Sequence, residues 1–255
     1  MISGCLGALL ISVLIVHTLS NTVDFRVNNF NNIFRDIVME NKKNFNNTFP
    51  DVLKFCSLRI VGGTRVSIKE IPYQVVIRKS SISGNYWTAF CGGSLVTLKH
   101  VLTAAHCFMK LRSQSSLNKI VVVAGTSLSS ASTMYMSSYE QFRRILRYYQ
   151  HINFTLIYIK HDIGVVEVIR SFYAASNVKP IRIHSPELNL KLNNGLQCLV
   201  SGYGYVEDNK RSPFLRMVCV PIISHDNCKR MFDEKYLHPS TVCAGAFQKD
   251  SCTVW

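Results

Sequence analysis

The stretch GGSLVTLKHVLTAAHC, Gly92 to Cys107, decides how this chain is read. An apolar run rich in Val and Leu enters a small-residue turn, Thr103-Ala104-Ala105, and delivers His106 beside Cys107. A histidine that must take a proton from a nucleophile needs a fixed position within hydrogen-bond reach. Packing by small alanines, with a covalent staple at the next residue, supplies that fixation. Taken alone, the pattern also suits a core histidine next to a structural disulfide, so the rest of the chain has to decide.

Working outward, β-type runs dominate from Pro72 to about Ser171. They include YQVVIRK (Tyr73 to Lys79), KIVVVAG (Lys119 to Gly125) and DIGVVEVI (Asp162 to Ile169), separated by Ser, Gly and Asn turns. FRRILRYY (Phe142 to Tyr149) interleaves polar and apolar residues as a half-exposed strand does. A connection with Pro180 and Pro186 leads to a second β-rich region from Leu196 onward, with LQCLVSGYG, RMVCVPII and TVCAGAF as its strands. Such a density of short strands predicts an all-β barrel architecture rather than a helical one.

Composition sets the frame. The 255 residues are 47% hydrophobic, enough for a buried core, which excludes a disordered chain. The 29 Lys and Arg against 15 Asp and Glu give a net charge of +14, a balance that attracts polyanions. There is no run of five basic residues, and the densest cluster, Arg143, Arg144 and Arg147, reads as a solvated strand face; neither nucleic acid nor membrane is expected as a partner. The 8 histidines lack the paired spacing of zinc sites, so no metal and no cofactor are expected.

The N-terminal part divides by composition. Residues 1–20 read as a secretion signal: an apolar stretch from Cys5 to Val16, too short to span a bilayer comfortably, then Thr18-Leu19-Ser20 with small residues at both peptidase-read positions. A secreted, extracellular protein is expected, and the sequons at Asn46 and Asn153 fit that compartment. Residues 21–59, rich in Asn, Phe and Lys with almost no Gly, predict an extended or weakly helical pro-segment. It ends at Arg59-Ile60-Val61-Gly62-Gly63, a basic residue before an apolar pair and two flexible glycines, which is an exposed cleavable hinge.

These features together resemble one family. RIVGG (Arg59 to Gly63), PYQV (Pro72 to Val75), CGGSL (Cys91 to Leu95), LTAAHC (Leu102 to Cys107), HDIGVVEV (His161 to Val168), SGYG (Ser201 to Gly204), CAG (Cys243 to Gly245) and KDSC (Lys249 to Cys252) follow the order of the trypsin-like, chymotrypsin-fold serine proteases. The resemblance implies an all-β fold of two antiparallel six-stranded barrels, the first over about 60–175 and the second, partial, over about 196–255. It implies a protease domain from residue 60 to 255 that hydrolyses peptide bonds after Arg or Lys. His106 would be the general base and Asp162 the carboxylate that orients it. Asp250 would lie at the base of the specificity pocket to pair a cationic side chain, with Ser251 on its wall. Cleavage between Arg59 and Ile60 by an activating protease would free an amine that folds inward. Protein or peptide substrates, and protein protease inhibitors, are the implied partners. Cys91 with Cys107 and Cys228 with Cys243 match family disulfides, whereas Cys56, Cys198, Cys219 and Cys252 allow several pairings. Tyr203 stands where the family usually carries Trp.

The resemblance breaks off after Cys252, where the family continues with a GDSGGP-like segment and this sequence reads Thr253-Val254-Trp255. The expectation is therefore a chain without the nucleophilic serine and oxyanion hole, inactive as written, and an incomplete product of a protease gene. The alternative is a non-catalytic homologue acting as a binding or regulatory module. Retention of His106, Asp162 and Asp250, three separate parts of one mechanism, favours the first.

Overall fold

A computed structural model describes residues 29–44, 63–109, 117–132, 139–183, 197–204, 211–231, 233, 235, 237 and 241–244. Its strands are β1 (Thr64–Arg65), β2 (Gln74–Ser80), β3 (Tyr86–Leu95), β4 (His100–Thr103), β5 (Ile120–Ala124), β6 (Ala131–Ser132), β7 (Gln141–Gln150), β8 (Gly164–Val168), β9 (Gln197–Gly202), β10 (Arg216–Ile223) and β11 (Cys243–Ala244). Two helices accompany them, α1 (Asn29–Asn44) and α2 (His225–Met231).

Strands β2, β5, β7, β8, β4 and β3 pair antiparallel in that order, and β3 returns to β2, so the sheet closes into a barrel; β6 adds to the outer half of β3. The alternation of side chains explains why β2 and β5 are apolar almost throughout. Val75, Ile77, Ile120 and Val122 point into the barrel with Leu95, Val101, Val166 and Val168. Their neighbours Val76, Val121 and Val123 point outward, where Ile71, Leu199, Leu215 and Met217 cover them. A strand buried on both faces has no polar face to alternate with.

The opening stretch is two strands, not one run. At the turn between β3 and β4, Thr97 Oγ1 accepts the backbone N–H groups of Lys99 and His100, each at 3.1 Å. A Cβ on Gly93 would lie 2.6 Å from Val101 Cγ1 and 2.8 Å from the Leu102 carbonyl oxygen, so only glycine lets the two strands close here.

A polar group sits inside this apolar frame. Arg78 of β2 is fully buried and pairs with Glu140 at 3.2 Å. It also donates to the carbonyls of Leu128 at 2.7 Å and Ser129 at 3.2 Å. Glu140 in turn accepts from Thr126 Oγ1. These bonds fasten the segment between β5 and β7 to the barrel and offset the desolvation of two buried charges.

The second sheet is centred on β10. It pairs with β9 from Arg216 to Pro221, with β1 at Arg216 and Met217, and with β11 at Ile222 and Ile223. Its own apolar cluster is Cys198, Val200, Val220 and Ile222. Between barrel and sheet, Ser201 Oγ donates to Gln74 Oε1 at 2.7 Å and Tyr203 Oη to the Thr126 carbonyl at 2.8 Å.

Within the expected pro-segment, α1 is a regular 16-residue helix packed on the barrel, more ordered than the extended or weakly helical chain anticipated there. Phe30, Phe34 and Ile37 are buried, with Ile33 and Val38 half-buried beside them; they recur at helical spacing and meet Val96, Leu102, Val165 and Ile183. Asn41, one turn on, is also buried and donates Nδ2 to the carbonyls of Val96 at 2.6 Å and Ile181 at 2.9 Å, while its Oδ1 accepts the Ile183 N–H at 2.8 Å.

Candidate active site

The site is assembled at one end of the β4–β8 pair. Thr103 of β4 lies opposite Gly164 of β8. The chain leaving β4 and the chain entering β8 are therefore neighbours, and a 3₁₀ turn, Ala105–Phe108, follows β4 at once. Buried Ala105 and Phe108 anchor the turn, leaving His106 half-exposed between them. The Cys91–Cys107 disulfide ties it to β3, and Thr103 Oγ1 donates to the Gly92 carbonyl at 2.7 Å.

His106 and Asp162, far apart in the chain, meet here twice. The ring Nδ1 is 2.6 Å from Asp162 Oδ2, and the His106 backbone N–H donates to Oδ1 at 2.7 Å. The Asp162 side chain is 1% exposed and that of His106 23%. A carboxylate whose two oxygens both serve one residue holds the imidazole in place and keeps the proton on Nδ1. The lone pair is then on Nε2, the nitrogen a general base uses.

Tyr148, read from sequence only as part of a half-exposed strand, supports this pair from β7. Its hydroxyl donates to the Ala105 carbonyl at 2.9 Å, and its ring stacks on Phe108 with centroids 4.3 Å apart. Burial and, after it, the charge of Asp162 raise the pKa of its phenol, so the hydroxyl remains a donor. A Cβ on Gly164 would lie 2.8 Å from the Tyr148 ring, so glycine just after Asp162-Ile163 makes room for it.

Other anticipated residues divide by where they fall. Asn153 is exposed, and its backbone N–H donates to His151 Nδ1 at 3.1 Å. Cys228 of α2 is bridged to Cys243 of β11. Cys219 is disulfide-bonded, and Cys198 is a buried free thiol whose pKa burial pushes up to about 11. Arg59, Ile60, Asn46, Asp250 and Ser251 lie outside the described residues. Among the described residues, Cys91, His106 and Cys107 gather donor atoms within 4.8 Å, but disulfide sulfurs offer no thiolate to a metal. No helix among them is long and apolar enough to cross a membrane.

Residues 60–253 match the family model described as Trypsin, and the chain belongs to that family of serine proteases. It is 29% identical over 201 residues to "Serine proteinase stubble" of Drosophila melanogaster, covering 76% of this chain and 24% of that protein. It is 28% identical over 198 residues to "Trypsin 5G1" of Aedes aegypti, covering 76% of this chain and 67% of that protein. A solved structure described as "Structure of GrC" superposes with a TM-score of 0.60 at 24% identity, covering 74% of this chain and 76% of that one. The closed barrel with its second sheet is thus the two-barrel chymotrypsin-like fold.

Proposed function

We propose that this chain is a secreted trypsin-like serine endopeptidase, made as a zymogen and activated by cleavage between Arg59 and Ile60. His106 is the general base and Asp162 its orienting carboxylate. Asp250, with Ser251 beside it, selects Arg or Lys before the scissile bond, because a buried carboxylate left opposite an apolar side chain would be unpaired. The observation that carries the reading is the double engagement of Asp162 by His106, through Nδ1 at 2.6 Å and the backbone N–H at 2.7 Å. Family membership supports the reaction class.

In this mechanism the base takes the proton of a serine hydroxyl as it attacks the peptide carbonyl, then returns it to the leaving amine. None of the serines in these 255 residues stands in the nucleophile's motif. Taken by themselves, they are therefore proposed to be silent: loss of a triad serine alone costs about 10⁶ in turnover. The reading is tested on a polypeptide extended through a GDSGG-encoding segment of the same gene and cleaved at Arg59. It should hydrolyse peptides with Arg or Lys before the cut, and His106→Ala should reduce turnover by about 10⁶. A preference for Phe or Leu would refute the role of Asp250. Hydrolysis of an arginine ester by the 255 residues alone, blocked by a serine-directed phosphonylating reagent, would refute their silence.

A further inference from the structure

The turn that presents Asp162 has the most strained backbone among the described residues. Ile159 and His161 both take left-handed conformations, φ 49° and 55°, and no other described residue except glycine does so. For a β-branched isoleucine and a ring-bearing histidine such values cost on the order of 1–3 kcal/mol each and persist only where the surroundings over-determine them.

Backbone bonds close the turn locally, between Thr155 and Lys160 at 3.1 Å and from the Ile163 N–H to the His161 carbonyl at 2.7 Å, and the side-chain support leads to α1. The His161 ring stacks parallel on His151 with centroids 4.6 Å apart, and His151 meets the Phe30 ring edge-on at 5.4 Å. Phe30 is itself stacked on Phe34 at 5.6 Å, and both are buried in the cluster that docks the helix. On the other side of Asp162, Ile163 packs against the same cluster, and its carbonyl accepts the His151 N–H at 3.0 Å. Both sequence neighbours of Asp162 are thus held by contacts that lead to one helix, clamped in turn by Asn41.

We infer that α1 is a positioning element of the active site: the stack Phe30–His151–His161, with Ile163 beside it, holds the strained turn that sets Asp162 against His106. The inference rests on the proposed role of Asp162, and it adds that the expected pro-segment is structurally part of the catalytic barrel. Phe30 and His151 are positioning residues; neither touches the reacting atoms. Cleavage at Arg59 would then leave α1 seated on the barrel, since its hold is through side chains upstream of the cut.

The test follows the proton shared by His106 Nδ1 and Asp162 Oδ2 in the full chain, as a far-downfield proton resonance, with amide protection at Val121 to Val123 reporting on the barrel. Phe30→Ala and His151→Ala should abolish the resonance while those amides stay protected, and His151→Phe, which restores a stacking ring, should bring it back. Persistence of the resonance in Phe30→Ala, or its loss in His151→Phe with the barrel intact, overturns the inference. If Phe30→Ala also exposes the amides, Phe30→Leu decides, because it keeps apolar docking and removes the ring: loss of the resonance supports the inference and retention defeats it. Since the readout is a hydrogen bond and not hydrolysis, failure of the proposed protease activity would appear separately, in the peptide assay.

Discussion

The barrel and the sheet around β10 draw on similar apolar residues but differ in how completely their strands are partnered. Each strand of the barrel ring has hydrogen-bonded neighbours on both sides, and β2 and β5 are covered on both faces. Around β10, among the described residues, only β9 pairs over most of a strand's length, while β1 and β11 each contribute two residues. A closed ring leaves no edge to be completed from elsewhere. Both members of the His106–Asp162 pair come from the closed region, so the base half of the site needs nothing from the second sheet to acquire its geometry.

The largest predicted effect tests the barrel at its polar node. Arg78→Ala leaves Glu140 buried without its cation, and stability in urea should fall by about 3–5 kcal/mol, as for other buried pairs broken on one side. A loss below about 1 kcal/mol would mean that the loop between β5 and β7 relaxes independently of the barrel. Next, replacing Cys91 and Cys107 together by Ser opens a loop with a sequence separation of 16 and should cost about 3 kcal/mol. The 3₁₀ turn should loosen with it, read as faster exchange of the His106 amide.

A smaller pair of substitutions sharpens the contrast directly. Ile77→Val in the barrel and Ile222→Val in the second sheet remove the same methylene, for which about 0.5–1.5 kcal/mol is usual. The first should fall at the upper end, because Ile77 belongs to the larger cluster, and the second at the lower end. Equal costs would break the comparison.

The smallest effect is a pH dependence. Burial lowers the pKa of His100 below the ordinary imidazole value; it outweighs the charges of Glu167 and Glu40, which raise it, and the Lys99 charge adds to the lowering. The unfolded chain therefore binds more protons than the folded one in this window. The contribution of His100 is fully present above about pH 6.5 and is lost as pH falls from there through the folded value. Thermal melts between pH 7 and 5 should show that slope, and His100→Asn should flatten it.

Much of this architecture is legible in the sequence because strands covered on one or two faces announce themselves by period. Tyr73 to Lys79, Lys119 to Gly125 and Asp162 to Ile169 are β2, β5 and β8, shifted by a residue or two, and Phe142 to Tyr149 lies within β7. The split of Gly92 to Cys107 into β3 and β4 is harder to see, since Thr97 makes its turn with one side-chain oxygen rather than with Gly or Pro. α1 is hidden by its many Asn and Lys residues, although Phe30, Ile33, Phe34, Ile37 and Val38 form a stripe at helical spacing. Arg78 and Tyr148 are legible only in three dimensions: their partners Glu140, Leu128 and Ala105 lie tens of residues away. The structure narrows the cysteine pairing that the sequence leaves open: Cys198 is a free thiol and so is not the partner of Cys219, which is disulfide-bonded to a cysteine outside the described residues.

The central claim is that the closed barrel, with α1 docked on it, holds the base against its carboxylate without help from the second sheet, and native-state hydrogen exchange tests it most directly. The His106 amide donates to Asp162 Oδ1 and reports on the pair itself. In low denaturant it should exchange together with Val121, Val122 and Val123 of β5, only through global opening, and more slowly than Leu199 and Val200 of β9. Exchange of the His106 amide as fast as that of β9, with β5 still protected, would contradict the account.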